Sequence, residues 1–147
     1  MKEIAFLDIY IKSTWSFIHR MHHTLAKRHG VSQTVAYILV AVPKAGLKVT
    51  DLAFKLNVGD KSLTRTLISM EEMKLIVKVN DEFDKRLVII KLTELGVQQR
   101  KIVVGVLKDY NSLLHKNLTK IEIDTIKSIH DKVAILTKKF IQEIDKK

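Results

Sequence analysis

Residues 48–74 read KVTDLAFKLNVGDKSLTRTLISMEEMK, a stretch whose apolar residues follow two short helical patterns. The first pattern is a stripe of three apolar residues: Leu52, Ala53 and Leu56. The second, within residues 60–74, has apolar residues three or four positions apart, namely Leu63, Leu67, Met70 and Met73. Asn57-Val58-Gly59 lies between them and contains the glycine that a tight turn between helices favours. Two helices joined in this way predict a helix-turn-helix.

After Lys74 the pattern changes from a helical period to the alternation of β-strands. Residues 75–80 and 87–92 alternate between the two faces of a strand, and the charged loop NDEFDKR at 80–86 separates them. Two strands around a polar loop predict a β-hairpin. A helix-turn-helix followed directly by a hairpin is a winged helix. The sequence therefore predicts a mainly α fold with a small β-hairpin wing.

Two further helices are predicted before this region. Residues 3–29 carry apolar side chains at helical spacing, and Gly30 suits the left-handed position that ends many helices. Ser32 is a candidate N-cap for a second helix that ends before Pro43. The β-branched residues of this second run are also compatible with a strand. We favour the helix because the run is longer than a typical strand.

Two long helices are predicted after the hairpin, and their apolar stripes pose a packing problem. Thr93-Glu94 begins the first, and Thr119 with Glu122 has the spacing of a capping box at the start of the second. The last helix has one continuous stripe: Ile126, Ile129, Val133, Leu136, Phe140 and Ile144. A winged helix cannot cover all of these terminal helices. We predict a two-fold dimer through the N- and C-terminal helices, with a monomeric bundle as the alternative.

Composition sets the class of protein. The 147 residues carry 26 Lys and Arg against 16 Asp and Glu, a net charge of +10 that favours an anionic partner, either nucleic acid or an acidic membrane surface. Of these two we expect nucleic acid and no membrane partner. The sequence has no Cys, which excludes disulfides and thiolate chemistry. It also lacks the motifs of common catalytic and nucleotide-binding sites. We predict one domain over 1–147 that is cytoplasmic, is not an enzyme and needs no cofactor, with a DNA-binding lobe at 30–96 and dimerisation helices at 1–29 and 97–147.

These residues resemble the MarR family of transcription regulators, most closely between Leu47 and Gly96. The motifs, in chain order, are Leu52-Ala53 with Leu56-Asn57-Val58, Thr64-Arg65 with Met70-Glu71 and Leu75-Ile76, Asp84-Lys85-Arg86, and Leu92-Thr93-Glu94-Leu95-Gly96. Three positions depart from the family pattern. Lys74 stands where a glycine usually ends the recognition helix, and Gly59 and Lys61 stand where an Asp cap and a Ser are common. The resemblance implies a transcription regulator that docks on DNA, and we expect a repressor; the base preference of the family is not carried over to this chain.

The candidate DNA-reading helix is residues 60–74. It offers cations and hydroxyls near its start, at Lys61, Ser62, Thr64 and Arg65. Ser69 follows Ser62 by seven residues and lies on nearly the same face. Lys61 and Arg65 are four residues apart and share a face, from which both can donate hydrogen bonds to guanine in the major groove. Ser62 and Thr64 suit phosphate contacts. The alternative is that these are solvated surface groups, or that Thr64 faces the core.

The wing at 80–86 is the second candidate contact. Arg86 is placed to enter a minor groove, which attracts cations where it is narrow, and Lys85 is placed to contact phosphate. Asp84 would be repelled by DNA unless it is paired, so we expect it to be structural and to fix the Arg86 side chain. A dimer with two such heads predicts an inverted-repeat operator with half-sites about one helical turn apart.

The resemblance also implies that small phenolic or other anionic ligands bind between the DNA-binding lobe and the dimerisation helices. Trp15, His19 and Tyr37 are candidates to line such a pocket. His19, His22 and His23 have a spacing that can bind zinc, but no carboxylate lies close to them in sequence, so we predict no metal. Two other functions stay open, which are a protein–protein adaptor and a sequence-tolerant architectural DNA binder.

Overall fold

The computed structural model describes residues 6–56 and 58–146. They form six helices and a small sheet, in the order α1 (Leu7–Arg28), α2 (Gln33–Ala41), β1 (Leu47–Lys48), α3 (Val49–Leu56), α4 (Asp60–Glu72), β2 (Ile76–Asn80), β3 (Val88–Leu92), α5 (Glu94–Asn117) and α6 (Lys120–Ile144). The helix-turn-helix and the hairpin predicted from the sequence are both confirmed. Residues 3–5 of the first predicted helix lie outside the described residues.

The sheet has three antiparallel strands in the order β1-β3-β2. Residues of β2 and β3 pair from Ile76 with Leu92 to Asn80 with Val88. The sequence predicted these two strands but not β1, and it assigned Lys48 to the following helix, which instead begins at Val49. β1 is two residues long, too short to show alternation, and it is a strand because Leu47 pairs with Ile90 of β3.

The core surrounds α2, whose run of β-branched residues forms a helix as predicted. Ser32 caps that helix by accepting a hydrogen bond from the Val35 N–H at 3.2 Å. Ile38, Leu39 and Val42 are fully buried. They belong to one apolar cluster that also holds fully or almost fully buried residues of the other elements: Leu52, Leu63, Leu67, Met70, Ile76 and Ile90.

Two helices end in the same hydrogen-bonded arrangement. Gly30 has φ +73°, and the Val31 N–H reaches back to the Ala26 carbonyl at the end of α1. Lys74 has φ +57° at the end of α4, where the Leu75 N–H donates to the Met70 carbonyl at 2.9 Å. Both are Schellman motifs. The predicted recognition helix therefore ends at Glu72 rather than Lys74, and Lys74 adopts the left-handed conformation that the family usually gives to glycine.

The first half of α5 is tied to the two N-terminal helices. Gln99 Nε2 donates to the His29 carbonyl at 3.0 Å, and Arg100 Nη1 donates to the Val42 carbonyl at 2.9 Å. His29 and Val42 are the residues that close α1 and α2, so these bonds satisfy carbonyl groups that a helix end leaves free. No spacing in the sequence indicated these contacts, because they join residues 58 and 70 positions apart.

The chain divides into two compact units, residues 1–106 and 107–147, with the boundary inside α5. The second unit holds the end of α5 and all of α6. Thr119 and Glu122 form the predicted capping box, in which Glu122 Oε2 accepts from the Thr119 N–H at 2.7 Å. This backbone hydrogen bond, together with one from the Thr119 hydroxyl, lowers the pKa of Glu122. No residue of α6 is buried in the single chain.

Candidate nucleic-acid interface

Helix α4 has one buried and one exposed face. Leu63, Leu67 and Met70 are at most 2% exposed and hold the helix against α2 and β2. The five predicted DNA-binding residues of the helix are all exposed: Lys61, Ser62, Thr64, Arg65 and Ser69. The alternative that Thr64 faces the core is wrong. Helical geometry places Lys61 and Arg65 one turn apart on the exposed side.

The first turn of α4 forms backbone hydrogen bonds and has no hydrogen bond from a capping side chain. Gly59 is the N-cap, and its carbonyl accepts from the N–H groups of Ser62 and Leu63, both at 3.1 Å. The departure from an Asp cap therefore leaves the helix intact. The sequence also allows the Asp60 side chain to cap the helix one residue late, but that side chain lies outside the described part of the chain. Thr66 bonds the Ser62 carbonyl through its hydroxyl at 3.0 Å, within the helix.

The wing loop is shaped by two aspartates that bind backbone N–H groups. Asp81 Oδ1 accepts from Phe83 and Asp84, each at 3.0 Å. These two hydrogen bonds lower the pKa of Asp81, and the bond from the Asp84 N–H has the larger effect. Asp84 Oδ1 accepts from the Arg86 backbone N–H at 3.0 Å. We expected Asp84 to fix the Arg86 side chain, but the bond observed is to the main chain, and it shapes the loop where Lys85 and Arg86 are exposed.

The wing and α4 face a common hollow of about 280 Å³. Its lining includes Thr64 and Leu67 of α4 and Arg86 and Leu87 of the wing. The remaining lining residues come from the start of α3 and from the strands: Lys48, Val49, Thr50, Lys78 and Val88. The structure thus brings the predicted major-groove helix and the predicted minor-groove arginine to one groove.

An ion pair that the sequence did not indicate connects β2 with α4. Lys78 Nζ contacts Glu71 Oε2, and both side chains are partly exposed. Glu71 lies in the last turn of α4, where the helix dipole disfavours a negative charge. The positive charge of the Lys78 ammonium offsets this unfavourable interaction of the Glu71 carboxylate. The pair fixes the first wing strand against the helix.

The residues predicted to line a ligand pocket fall into two separate contacts. Trp15 and His19 neighbour each other along α1, with ring centroids 5.8 Å apart. Tyr37 instead accepts from Gln33 Nε2 at 2.7 Å, and its hydroxyl lies 3.1 Å from His22 Nδ1. Among residues 6–56 and 58–146, no group of three or more His, Asp or Glu residues is placed to hold a metal ion. None of the helices described could cross a membrane.

Several solved structures have this fold. A complex of MepR from S. aureus with DNA has a TM-score of 0.73 and 19% identity, and covers 90% of this chain and 98% of that one. Wild-type MarR from E. coli, in its apo form, has a TM-score of 0.67 and 26% identity, with the same coverages. The transcription regulator MarR from Oenococcus oeni PSU-1 has a TM-score of 0.72 and 19% identity, and covers 87% and 98%.

No family model matches the sequence, and no curated protein matches it. The arrangement of α3, α4 and the hairpin defines a winged helix-turn-helix protein. Within that class the chain has the fold of the MarR family. The structural matches to MepR and to E. coli MarR each cover 90% of this chain. The resemblance carried by the motifs between Leu47 and Gly96 is thereby confirmed.

Proposed function

We propose that this protein is a transcription regulator that binds specific double-stranded DNA and acts as a repressor. In this proposal α4 enters the major groove and the wing enters the adjacent minor groove. The observation that carries it is that Thr64, on the exposed side of α4 that also carries Lys61 and Arg65, lines one hollow together with Arg86 of the wing. The MepR structure, which contains DNA, supports the same interpretation.

The dimensions and chemistry of α4 suit the major groove. A helix is about 10–12 Å across with its side chains, and the groove is about 12 Å wide. Lys61 and Arg65 can then donate to the O6 and N7 atoms of guanine. Ser62, Thr64 and Ser69 on the same exposed side suit hydroxyl contacts to phosphate or to a base edge.

The wing supplies the second contact. Arg86 is the side chain proposed to enter the minor groove, and Lys85 the one that contacts phosphate. The carboxylate of Asp84 binds a backbone N–H of its own loop, which reduces the repulsion that a free carboxylate would bring to DNA. A dimer would present two such heads to an inverted repeat and would block a promoter by occupying it.

A small anionic or phenolic effector is part of this proposal. Such a ligand releases DNA if it binds one spacing of the two heads better than the other. Trp15, His19 and Tyr37 stay the predicted lining of its pocket. This role also requires the chain to lie in the same compartment as DNA. The predicted cytoplasmic location meets that requirement.

The test is selection of bound sequences from a random duplex pool, followed by titration of the selected duplex at several salt concentrations. We expect an enriched inverted repeat and an affinity that falls steeply with salt. Arg65→Ala should weaken binding by about 1–3 kcal/mol and relax the preference at one guanine. Arg86→Ala should weaken binding most where A·T pairs flank the half-site. Lys127→Ala, an exposed cation of α6, is the control and should bind as the parent does.

Each rival function gives a different result in this experiment. An architectural binder would hold selected and random duplexes with equal affinity. An adaptor would enrich no sequence and would instead bind a protein with little dependence on salt. Unchanged sequence preference in Arg65→Ala together with unchanged affinity in Arg86→Ala would contradict the assigned residues while leaving DNA binding itself standing.

A further inference from the structure

An isoleucine lies in the middle of the exposed face of α4. Ile68 keeps 46% of its surface accessible, although apolar residues of this helix at positions 63, 67 and 70 are buried. It follows Lys61 by seven residues, Thr64 by four and Arg65 by three, so helical geometry places all four on one side. The side chain therefore belongs to the surface that the proposed function turns toward DNA.

The position of Ile68 limits what it can contact. Its side chain has no hydrogen-bond donor or acceptor, so it gains nothing from phosphate or from the polar edge of a base. It lies about 4.5 Å farther along the helix axis than Arg65, because each residue advances the helix by 1.5 Å. This distance is little more than the ~3.4 Å between successive base pairs.

One group on the floor of the major groove matches an apolar side chain. Thymine carries a C5-methyl group there, which cytosine lacks, and apolar side chains contact it. We propose that Ile68 is a specificity-determining residue that reads a thymine methyl one or two base pairs from the guanine contacted by Arg65. This inference rests on the proposed function, since it assumes that α4 enters the major groove.

The polar residues around Ile68 favour DNA over a protein partner as its occupant. Lys61 and Arg65 precede it on the same face, and Ser69 follows it directly. The exposed Glu72 follows one turn later as the last residue of α4, so the two cations lie on the N-terminal side of Ile68 and the carboxylate on its C-terminal side. Because a recognition helix reads DNA with its N-terminal half, the surface contacted there has to be anionic with a small apolar feature. The major groove of DNA has both properties. An apolar protein surface would have to remove water from two cations, which is unfavourable.

Uracil in place of thymine tests the inference, because it removes the methyl group and leaves base pairing unchanged. On the selected duplex, Arg65→Ala first identifies the guanine, and each neighbouring thymine of the half-site is then replaced by uracil. We expect one replacement to weaken binding about four-fold per half-site, the equivalent of ~0.8 kcal/mol for one methyl-sized group removed from water.

The protein variants complete a double-mutant cycle. Ile68→Ala should bind the thymine and uracil duplexes with equal affinity, and Ile68→Val should retain most of the difference. Phe54→Ala removes another exposed apolar side chain, 91% accessible on α3, and should leave the uracil effect at four-fold. Helix content and thermal unfolding of Ile68→Ala should match the parent, because alanine favours a helix and the site is half exposed.

Two results would overturn the inference while DNA binding stands. One is a parent protein that is indifferent to uracil at every thymine near the guanine. The other is an Ile68→Ala variant that keeps the full uracil effect, whether or not its affinity for both duplexes falls. A pool with no enriched sequence would instead reject the proposed function, and this inference with it.

Discussion

Gly96 is glycine because the chain passes too close for any side chain. A Cβ built there would lie 2.0 Å from the Leu75 carbonyl oxygen and 3.0 Å from its carbon. Thr93 brings the two segments together: its hydroxyl donates to the Lys74 carbonyl at 2.6 Å and accepts from the Gly96 N–H at 3.0 Å. The start of α5 is thus bonded directly to the end of α4.

We expect Gly96→Ala to lower the free energy of unfolding by about 3 kcal/mol, since backbone has to move to admit the methyl group. Urea unfolding followed by circular dichroism measures this. Gly105→Ala is the matched control in the same helix, where a Cβ would meet nothing within 4 Å. That variant should be stabilised by up to about 1 kcal/mol. Similar effects in both variants would contradict the close approach at residue 96.

Lys74 has a backbone conformation that favours glycine over any residue with a side chain. Its φ of +57° lies in the left-handed region, which costs an L-residue about 1–2 kcal/mol relative to glycine. Lys74→Gly should therefore raise the free energy of unfolding by about 1 kcal/mol, again measured in urea. Lys74→Ala removes the charge but keeps the Cβ, so it should not stabilise. Equal stabilisation by both substitutions would indicate that charge, not backbone conformation, is the cause.

Local features of single residues could be predicted from the sequence, and long-range ones could not. Ser32, Gly30 and the Thr119–Glu122 box act on backbone groups within a few residues, so spacing alone indicated them. The reason for Gly96 is the Leu75 carbonyl, 21 positions away. Only the family resemblance marked that glycine, and only the structure gives its physical cause.

Among the elements, α1 and α2 are joined by a hydrogen-bond chain that depends on a neutral histidine. Gln33 donates to the Tyr37 oxygen, which leaves the Tyr37 hydroxyl proton for His22 Nδ1. A protonated His22 has no acceptor to offer there. Burial, and secondarily the nearby His19, lower the pKa of His22 from its usual 6.5.

We therefore expect the fold to lose stability in mild acid. As the pH falls below about 6.5, the unfolded chain takes up a proton at residue 22 more readily than the folded one does. The contribution of His22 is complete above that pH and disappears as the pH falls through the folded-state pKa. We expect the urea midpoint to drop between pH 7.5 and 5.5, and to drop less in His22→Asn, whose amide oxygen accepts without titrating.

His130→Asn, at an exposed histidine of α6, is the control for this prediction. It should show the same drop as the parent between the two pH values. If His22→Asn also loses stability as fast as the parent, the hydrogen-bond chain does not depend on the protonation of His22.

The elements found from the sequence are those with enough residues to show a period. The helices and the two wing strands are of this kind, and α2 was assigned correctly by the length of its run. β1 has two residues and takes its structure from pairing with β3. The Lys78–Glu71 pair, the Gln99 and Arg100 contacts, and the hollow shared by Thr64 and Arg86 likewise depend on tertiary structure. The sequence predicted exposed DNA-binding residues, but not the groove between them.

On the scale of the whole molecule, the terminal helices leave much apolar surface exposed in one chain. Ala26 is the one buried residue of α1, and α6 has none. The α6 stripe includes side chains at least half accessible: Ile126, Ile129, Leu136 and Phe140. Apolar surface of this extent on two long helices supports the prediction of a dimer, in which a second copy of the chain would cover it.

We expect sedimentation equilibrium to give twice the mass of one chain, and Phe140→Asp to give a single chain at micromolar concentration, because a buried, unpaired carboxylate is costly. Lys138→Asp is the matched control, since residue 138 lies on the opposite side of α6 from the stripe. The Phe140 variant should still bind one half-site, yet lose the affinity that two half-sites in register confer on the parent. If the Phe140 variant remains dimeric, the dimer does not use this face of α6. If the parent protein sediments as one chain, the monomeric bundle is correct, and nothing in the protein would then explain an inverted-repeat operator.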